Sequence, residues 1–183
     1  MLNAEMPSVG APYPLCVEAS SVQAINWTEI ADTIGHPVNV LLDYDQAIAL
    51  ATQPVSQDVK TSICRARELG SIAKFGIASD NPLASTLSGM RSHIDYNFGP
   101  YINGARLVTK ASTLFYSRIL DVLNIDPSCV VMVGHDIRRD IINAQEVGIA
   151  TIRVPALGTL YQGLVANRGR QISGMARRII ATL

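Results

Sequence analysis

Two carboxylates one residue apart, Asp43 and Asp45, follow directly on the apolar run Val38-Asn39-Val40-Leu41-Leu42. Acids at the end of a buried strand are costly unless a cation or a reaction uses them. The plainer reading of the same stretch is a strand-end turn in which Asp43 or Asp45 caps a helix. Four more polar residues stand in comparable places. Ser79 follows Lys74-Phe75-Gly76-Ile77-Ala78, Lys110 follows Arg106-Leu107-Val108 closely, and Asp136 and Asp140 follow the run from Cys129 to Val133. Together they make up the parts for phosphoryl transfer through a covalent intermediate: a carboxylate nucleophile, a hard cation, a general acid/base and donors to the phosphoryl oxygens.

In that chemistry Asp43 serves as nucleophile. Asp45 protonates the leaving group and then activates water. Asp136 and Asp140 complete an oxygen-ligand site for Mg²⁺, Ser79 donates its hydroxyl, and Lys110 neutralises phosphate and carboxylates. Three or four carboxylates on one rim would repel, and one Mg²⁺ with one Lys relieves most of that repulsion. Taken singly, each residue has a bland account. Ser79 suits a turn, Lys110 a solvated surface, Asp136 a helix cap and Asp140 a pairing with a nearby Arg. Their joint occurrence after successive strands favours the chemical reading.

The elements that must position them alternate between short β-rich runs and longer helical ones, the pattern of an α/β fold with a central parallel sheet. Val38–Leu42, Lys74–Ala78, Cys129–Val133 and Ala150–Val154 read as strands, with a short one at Arg106–Val108. Trp27–Ile34 reads as a helix between an Asn26 cap and a Gly35 stop. Ser56–Leu69, Ser112–Leu123 and Ile137–Val147 read as amphipathic helices, the first ended by Gly70 and the last by Gly148. Leu83 to Met90 suggests a short helix. Ser92 to Ala105 reads as loop, with Gly99-Pro100 and Asn103-Gly104 as turn signals. In open parallel sheets ligands bind at the carboxyl ends of the strands, so the polar groups are expected on one rim.

The 183 residues suit one domain, and a hydrophobic fraction of 48% with 16% charged residues is that of a globular protein. Fifteen basic against fifteen acidic residues argue against a nucleic-acid binder. Three scattered cysteines, Cys16, Cys64 and Cys129, lack metal spacing and fit a reducing, cytoplasmic setting. No apolar run approaches the roughly 20 residues that span a bilayer, and the first residues lack a secretory pattern. Residues 1–14 read as a flexible arm, 15–160 as the catalytic domain and 161–183 as a basic helical tail.

The motifs resemble the haloacid dehalogenase (HAD) superfamily of phosphatases and phosphotransferases. Asp43-Tyr44-Asp45-Gln46-Ala47 is similar to its first motif, Asp-x-Asp-x-Thr after a strand. Ala78-Ser79 is similar to the second, and Lys110-Ala111-Ser112 to the third. Gly134-His135-Asp136-Ile137-Arg138-Arg139-Asp140, with the sequel to Gly148, resembles the fourth. The likeness implies a three-layer, Rossmann-like fold. It makes Asp43 nucleophile and Mg²⁺ ligand, Asp45 acid/base with its carbonyl a further ligand, Asp136 the main ligand of the fourth motif, and Asp140 a ligand or supporting partner. The sequence departs from the pattern at Ala47 in place of Thr, Ala111 in place of Pro, Asp80 in place of Asn, and His135 in place of a metal-binding Asp.

About thirty residues separate Asp45 from Ser79, and about thirty more reach Lys110, so a large cap domain does not fit. An uncovered site would admit a phosphorylated small molecule, a lipid headgroup or a macromolecule, or a second subunit would cover it. The residues ahead of Val38 resemble the branch that includes phosphatidylglycerophosphate phosphatases. Arg168, Arg170, Arg177 and Arg178, set among apolar residues, allow a peripheral contact with an anionic membrane. A terminal helix packed on the core is the alternative there. Two other readings of the whole chain are a HAD-fold binding protein without turnover and a receiver domain. The late position of the Asp136/Asp140 pair counts against the receiver domain.

Overall fold

The structure is a computed structural model and describes residues 15–50, 53–82, 84 and 89–158. The arm 1–14, the basic tail 161–183 and most of the helix expected over Leu83 to Met90 lie outside them. Six strands form one parallel sheet: β1 (Cys16–Glu18), β2 (Val38–Leu42), β3 (Ile72–Ala78), β4 (Tyr96–Phe98), β7 (Val130–Gly134) and β8 (Ala150–Arg153). Their spatial order is β1-β8-β7-β2-β3-β4, which puts β2 at the centre between β7 and β3. β5 (Tyr101–Asn103) and β6 (Arg106–Val108) pair antiparallel as a separate hairpin.

Helices cover both faces, giving the three-layer Rossmann-like architecture that the alternating pattern predicts. On one face Val40, Leu42, Phe75 and Ile77 pack against Trp27 and Ile30 of α1 (Trp27–Ile34) and Val59 and Ile63 of α2 (Gln57–Glu68). On the other, Leu41, Val130 and Met132 meet Phe115, Tyr116 and Ile119 of α3 (Thr113–Leu123). β2 therefore sends alternate residues into both layers, which is why both of its faces are apolar. Local signals fix the helix ends. The side chains of Asn26, Ser56 and Ser112 accept bonds from backbone N–H groups of the first turns. Gly35 and Gly148 stop their helices at positive φ.

Two regions differ from the sequence expectation. The stretch Ser92 to Ala105 holds β4 and β5, and Arg106–Val108 joins the hairpin and not the main sheet. These strands are three residues long, too short to show a period. Gly76 admits β4, because a Cβ there would overlap the ring of Tyr96. Secondly, Ile137 to Val147 is not one α-helix. Ile137–Ile142 winds as a π-helix and leads into a short α-helical stretch, Asn143–Gln145. Among the described residues, the connection from β2 to β3 holds α2, and that from β3 to Lys110 holds β4 and the hairpin. No large cap is among them. No helix of the described residues is long and apolar enough to cross a membrane.

Candidate active site

Register brings the rim together. Leu42 is level with Ile77 of β3 and Val133 of β7, so the residues that follow each strand emerge side by side. Asp43 leaves β2 while its N–H still bonds Val133 O at 2.9 Å. Its carboxylate is buried, and so are Lys110 and Asp140. Lys110 Nζ lies 2.5 Å from Asp43 Oδ1 and 2.7 Å from Asp140 Oδ1. One ammonium thus bridges two buried acids that would otherwise repel each other. Burial works against the charge on Lys110, yet the two carboxylates outweigh it and hold its pKa above the ordinary lysine value. Asp140 is pushed up by burial and by Asp43, against the pull of Lys110.

Lys110 is clamped at its backbone too. Its N–H donates to Asp80 Oδ1 at 2.9 Å, and its carbonyl accepts from Asn143 Nδ2 at 2.7 Å. Asp80 Oδ2 also faces Arg139 at 3.5 Å. The extra charge that Asp80 brings is thereby spent on holding the lysine loop, where the resemblance leads one to expect Pro after the Lys.

The π-helix carries Asp140 back under the end of β7. Asp140 Oδ2 accepts the N–H groups of His135 and Asp136, both at 3.0 Å. The approach is so close that a Cβ on Gly134 would overlap Asp140 Cβ, Cγ and Oδ2. Gly134→Ala is therefore expected to destabilise the protein by about 1–3 kcal/mol and to loosen the Lys110–Asp140 pair. Urea denaturation measures the loss, and an unchanged midpoint would contradict the close approach.

His135 is the residue that sequence reasoning did not place in the site. Its Nδ1 is 3.0 Å from Asp43 Oδ2 and 3.7 Å from Asp140 Oδ2. Its pKa is raised by the hydrogen bond to Asp43, against burial, with the charges of Asp43 and Asp140 adding to the rise. The available signal was its position directly after the glycine that ends a buried strand. Asp43, His135 and Asp140 each offer one ligand atom within 4.8 Å of the others, a donor set that fits a divalent cation.

The other expected residues have partners of their own. Asp45, two residues beyond Asp43, is half-buried, with Oδ1 3.5 Å from Asn81 Nδ2. Ser79 is buried, and its Oγ accepts the N–H of Asn81 at 3.0 Å in a tight turn. Asp136 does not join the acidic cluster. Its Oδ1 accepts the N–H groups of Arg138 and Arg139 at 2.9 and 2.8 Å, capping the π-helix. Burial alone would raise its pKa, but those two bonds and the nearby Arg139 hold it below the usual carboxylate value.

The loop after Asp45 has its own fastening where Ala47 lacks a hydroxyl. Gln46 sits at φ 67°, a conformation that non-glycine residues adopt only under constraint. Its carbonyl and its Oε1 accept the N–H groups of Leu157 and Gly158 at 2.8 and 2.9 Å. Tyr44, fully buried, donates its hydroxyl to Gln53 O.

Two phenols, Tyr116 buried and Tyr96 half-buried, add an alkaline signature. Burial, then the charge of Asp95, raises Tyr96. Burial, then Asp140 and Asp43, raises Tyr116, in both cases above the ordinary value of 10.0. A group whose folded value exceeds its unfolded one keeps a proton that the unfolded chain has released, so stability falls as pH rises past the unfolded value. Lys110 acts in the same direction. The melting temperature is expected to drop above about pH 10, and Tyr96→Phe to lessen the drop. A flat profile through that window would refute the assignment.

Residues 108–156 match the HAD-hydrolase-like family model. The matched stretch carries Lys110, His135, Asp136 and Asp140, while Asp43, Asp45 and Ser79 lie outside it. No curated protein matches the sequence. Among solved structures, the chain is similar to an uncharacterized protein from Listeria monocytogenes serotype 4b. That similarity has a TM-score of 0.52 and 16% identity, over 70% of this chain and 97% of that one. It is likewise similar to a HAD phosphatase from Thermococcus onnurineus, with a TM-score of 0.45 and 20% identity, over 60% of this chain and 58% of that one. A protein from Corynebacterium glutamicum gives 0.46 and 14%, over 74% and 98%. The Listeria protein shares the fold.

Proposed function

We propose that this protein is a HAD-type phosphomonoester hydrolase that works through an aspartyl-phosphate on Asp43. The observation that carries the reading is the buried bridge of Lys110 between Asp43 and Asp140 at the carboxyl rim of the sheet. The family match around Lys110 and Asp140 supports it from the other half of the site.

In this reading a carboxylate oxygen of Asp43 attacks phosphorus, and the ester oxygen leaves with a proton from Asp45. A water then gives its proton back to Asp45 and attacks the same phosphorus, which frees phosphate and restores Asp43. Lys110 compensates charge throughout, and the Ser79 hydroxyl would donate to a phosphoryl oxygen. A divalent cation, Mg²⁺ by the family resemblance, would be held by Asp43 and Asp140 with His135 alongside. It would supply further charge compensation to the phosphoryl oxygens. Asp136, which caps the π-helix through Oδ1, stands outside that set.

That no large cap is among the described residues supports a phosphate on a bulky molecule as substrate, with a lipid phosphate such as phosphatidylglycerophosphate the candidate that the N-terminal layout suggests. A cytoplasmic location, with peripheral contact to a membrane, is the matching setting. Phosphate release from an aryl phosphate and from a panel of phosphorylated metabolites and lipids, with divalent cation present, tests the proposal. Turnover together with acid-stable phosphoryl label on Asp43 is expected. Absence of both would leave the second reading, a binding protein of the same fold, which the bond from His135 to Asp43 favours. Binding of beryllofluoride without turnover of any substrate would mark that outcome.

A further inference from the structure

We propose that His135 is a ligand of the site's divalent cation and turns its preference away from Mg²⁺ towards borderline transition metals such as Fe²⁺ and Co²⁺. The proposal rests on the cation-dependent reading of the site given above. Three observations carry it. First, the ring is aimed at the acids: Nδ1 stands 3.0 Å from Asp43 Oδ2 and 3.7 Å from Asp140 Oδ2, and all three donors fall within 4.8 Å of one another.

Second, the remaining atoms of the site are distributed so that the imidazole completes the set. Lys110 takes Oδ1 of both acids, which turns their Oδ2 atoms to the side where His135 lies. The acid next in sequence, Asp136, is committed to two backbone N–H groups of the π-helix. The His135 side chain is 25% exposed against 3% and 0% for Asp43 and Asp140, so it is the solvent-facing member of the three.

Third, the main chain that carries the ring is fixed, since the N–H of His135 is bound to Asp140 Oδ2 at 3.0 Å. A ligand anchored in this way meets a cation without loss of backbone freedom.

The preference follows from donor chemistry. Mg²⁺ takes oxygen donors and holds water rather than nitrogen. An imidazole nitrogen suits first-row transition metals, whose affinity for N/O sites rises from Mn²⁺ to Co²⁺ and beyond. When the metal binds, the Nδ1 lone pair goes to the ion and any proton on that atom passes to solvent or Nε2.

Calorimetric titration with Mg²⁺ and with Co²⁺, on the full chain and on His135→Asp and His135→Asn, tests this without a substrate. Transition metals outrank Mg²⁺ at most N/O sites, so the decisive quantity is the change in the Co²⁺/Mg²⁺ affinity ratio. Both variants are expected to lower that ratio on the order of tenfold or more. Co²⁺ should give the wild type a visible absorption band that shifts in both variants. The Asn variant adds no charge beside Asp43 and Asp140, so it stays informative if the Asp variant fails to fold. An unchanged ratio in the folded variant, an unshifted band, or no binding of either ion to the wild type would overturn the proposal. Because every readout is binding, metal preference as proposed with no phosphate released under any cation would instead sink the phosphatase reading.

Discussion

Asp43→Asn is expected to abolish phosphate-ester hydrolysis, with a fall in kcat of about 10⁴-fold or more. The amide keeps the shape of the carboxylate: its oxygen still accepts from Lys110 and its nitrogen sits beside His135. What it loses is the anionic oxygen that attacks phosphorus, so the effect falls on the chemical step and not on the fold. The measurement is single-turnover kinetics on an aryl phosphate together with a thermal melt. A variant that melts like the wild type and has no turnover or phosphoryl label would support the assignment. Retention of even a tenth of the wild-type rate would overturn it.

The largest stability effect is expected from Lys110→Met. The Lys110, Asp43 and Asp140 side chains are 4%, 3% and 0% exposed. Removing the ammonium leaves two neighbouring carboxylates without their shared partner, and breaking a buried pair in this way costs about 3–5 kcal/mol. The sign of the pH dependence follows from Asp140, whose pKa is already raised by burial and by Asp43. Without Lys110 it would rise further, so the folded variant would bind a proton that the unfolded chain does not. Stability of the variant relative to wild type should therefore recover as pH falls towards about 4. Denaturant unfolding at several pH values measures this. Adding Asp140→Asn to Lys110→Met should restore part of the loss, by removing one of the two repelling charges. A variant as stable as the wild type at neutral pH would show that the bridge carries no net charge compensation.

Much of this arrangement is legible in the sequence because its signals are local. β2 and β7 are continuous apolar runs, and Asn26, Ser56, Ser112, Gly35 and Gly148 mark helix ends through bonds to their own neighbours. The position of Asp43 follows from placing strand ends on one rim, whereas Lys110 arrives from a hairpin outside the main sheet and Asp140 from the π-helix after β7. What sequence reasoning missed depends on distant partners. β4 exists because the Tyr96 ring lies over Gly76 of another strand. Asp136 and Asp140 look equivalent in sequence, and only the π-helical winding decides that one caps while the other turns inward. Asp80 reads as a surplus charge until Lys110 N–H and Arg139 are seen around it.

The strand order has a consequence for how the chain is made. β2 lies between β3, its neighbour in sequence, and β7, some ninety residues later, while β1 waits at the edge for β8. A nascent chain leaving the ribosome can pair β2 with β3 early, but β1 has no partner until residue 153 has emerged. Contacts that span so much chain slow folding. The edge register Cys16↔Thr151 through Glu18↔Arg153 then makes completion of the sheet a late step in folding. The acids of the rim have a different schedule: Asp43 and Asp140 can share Lys110 only once β7 lies beside β2, so their mutual repulsion and its relief arrive together when that pair forms.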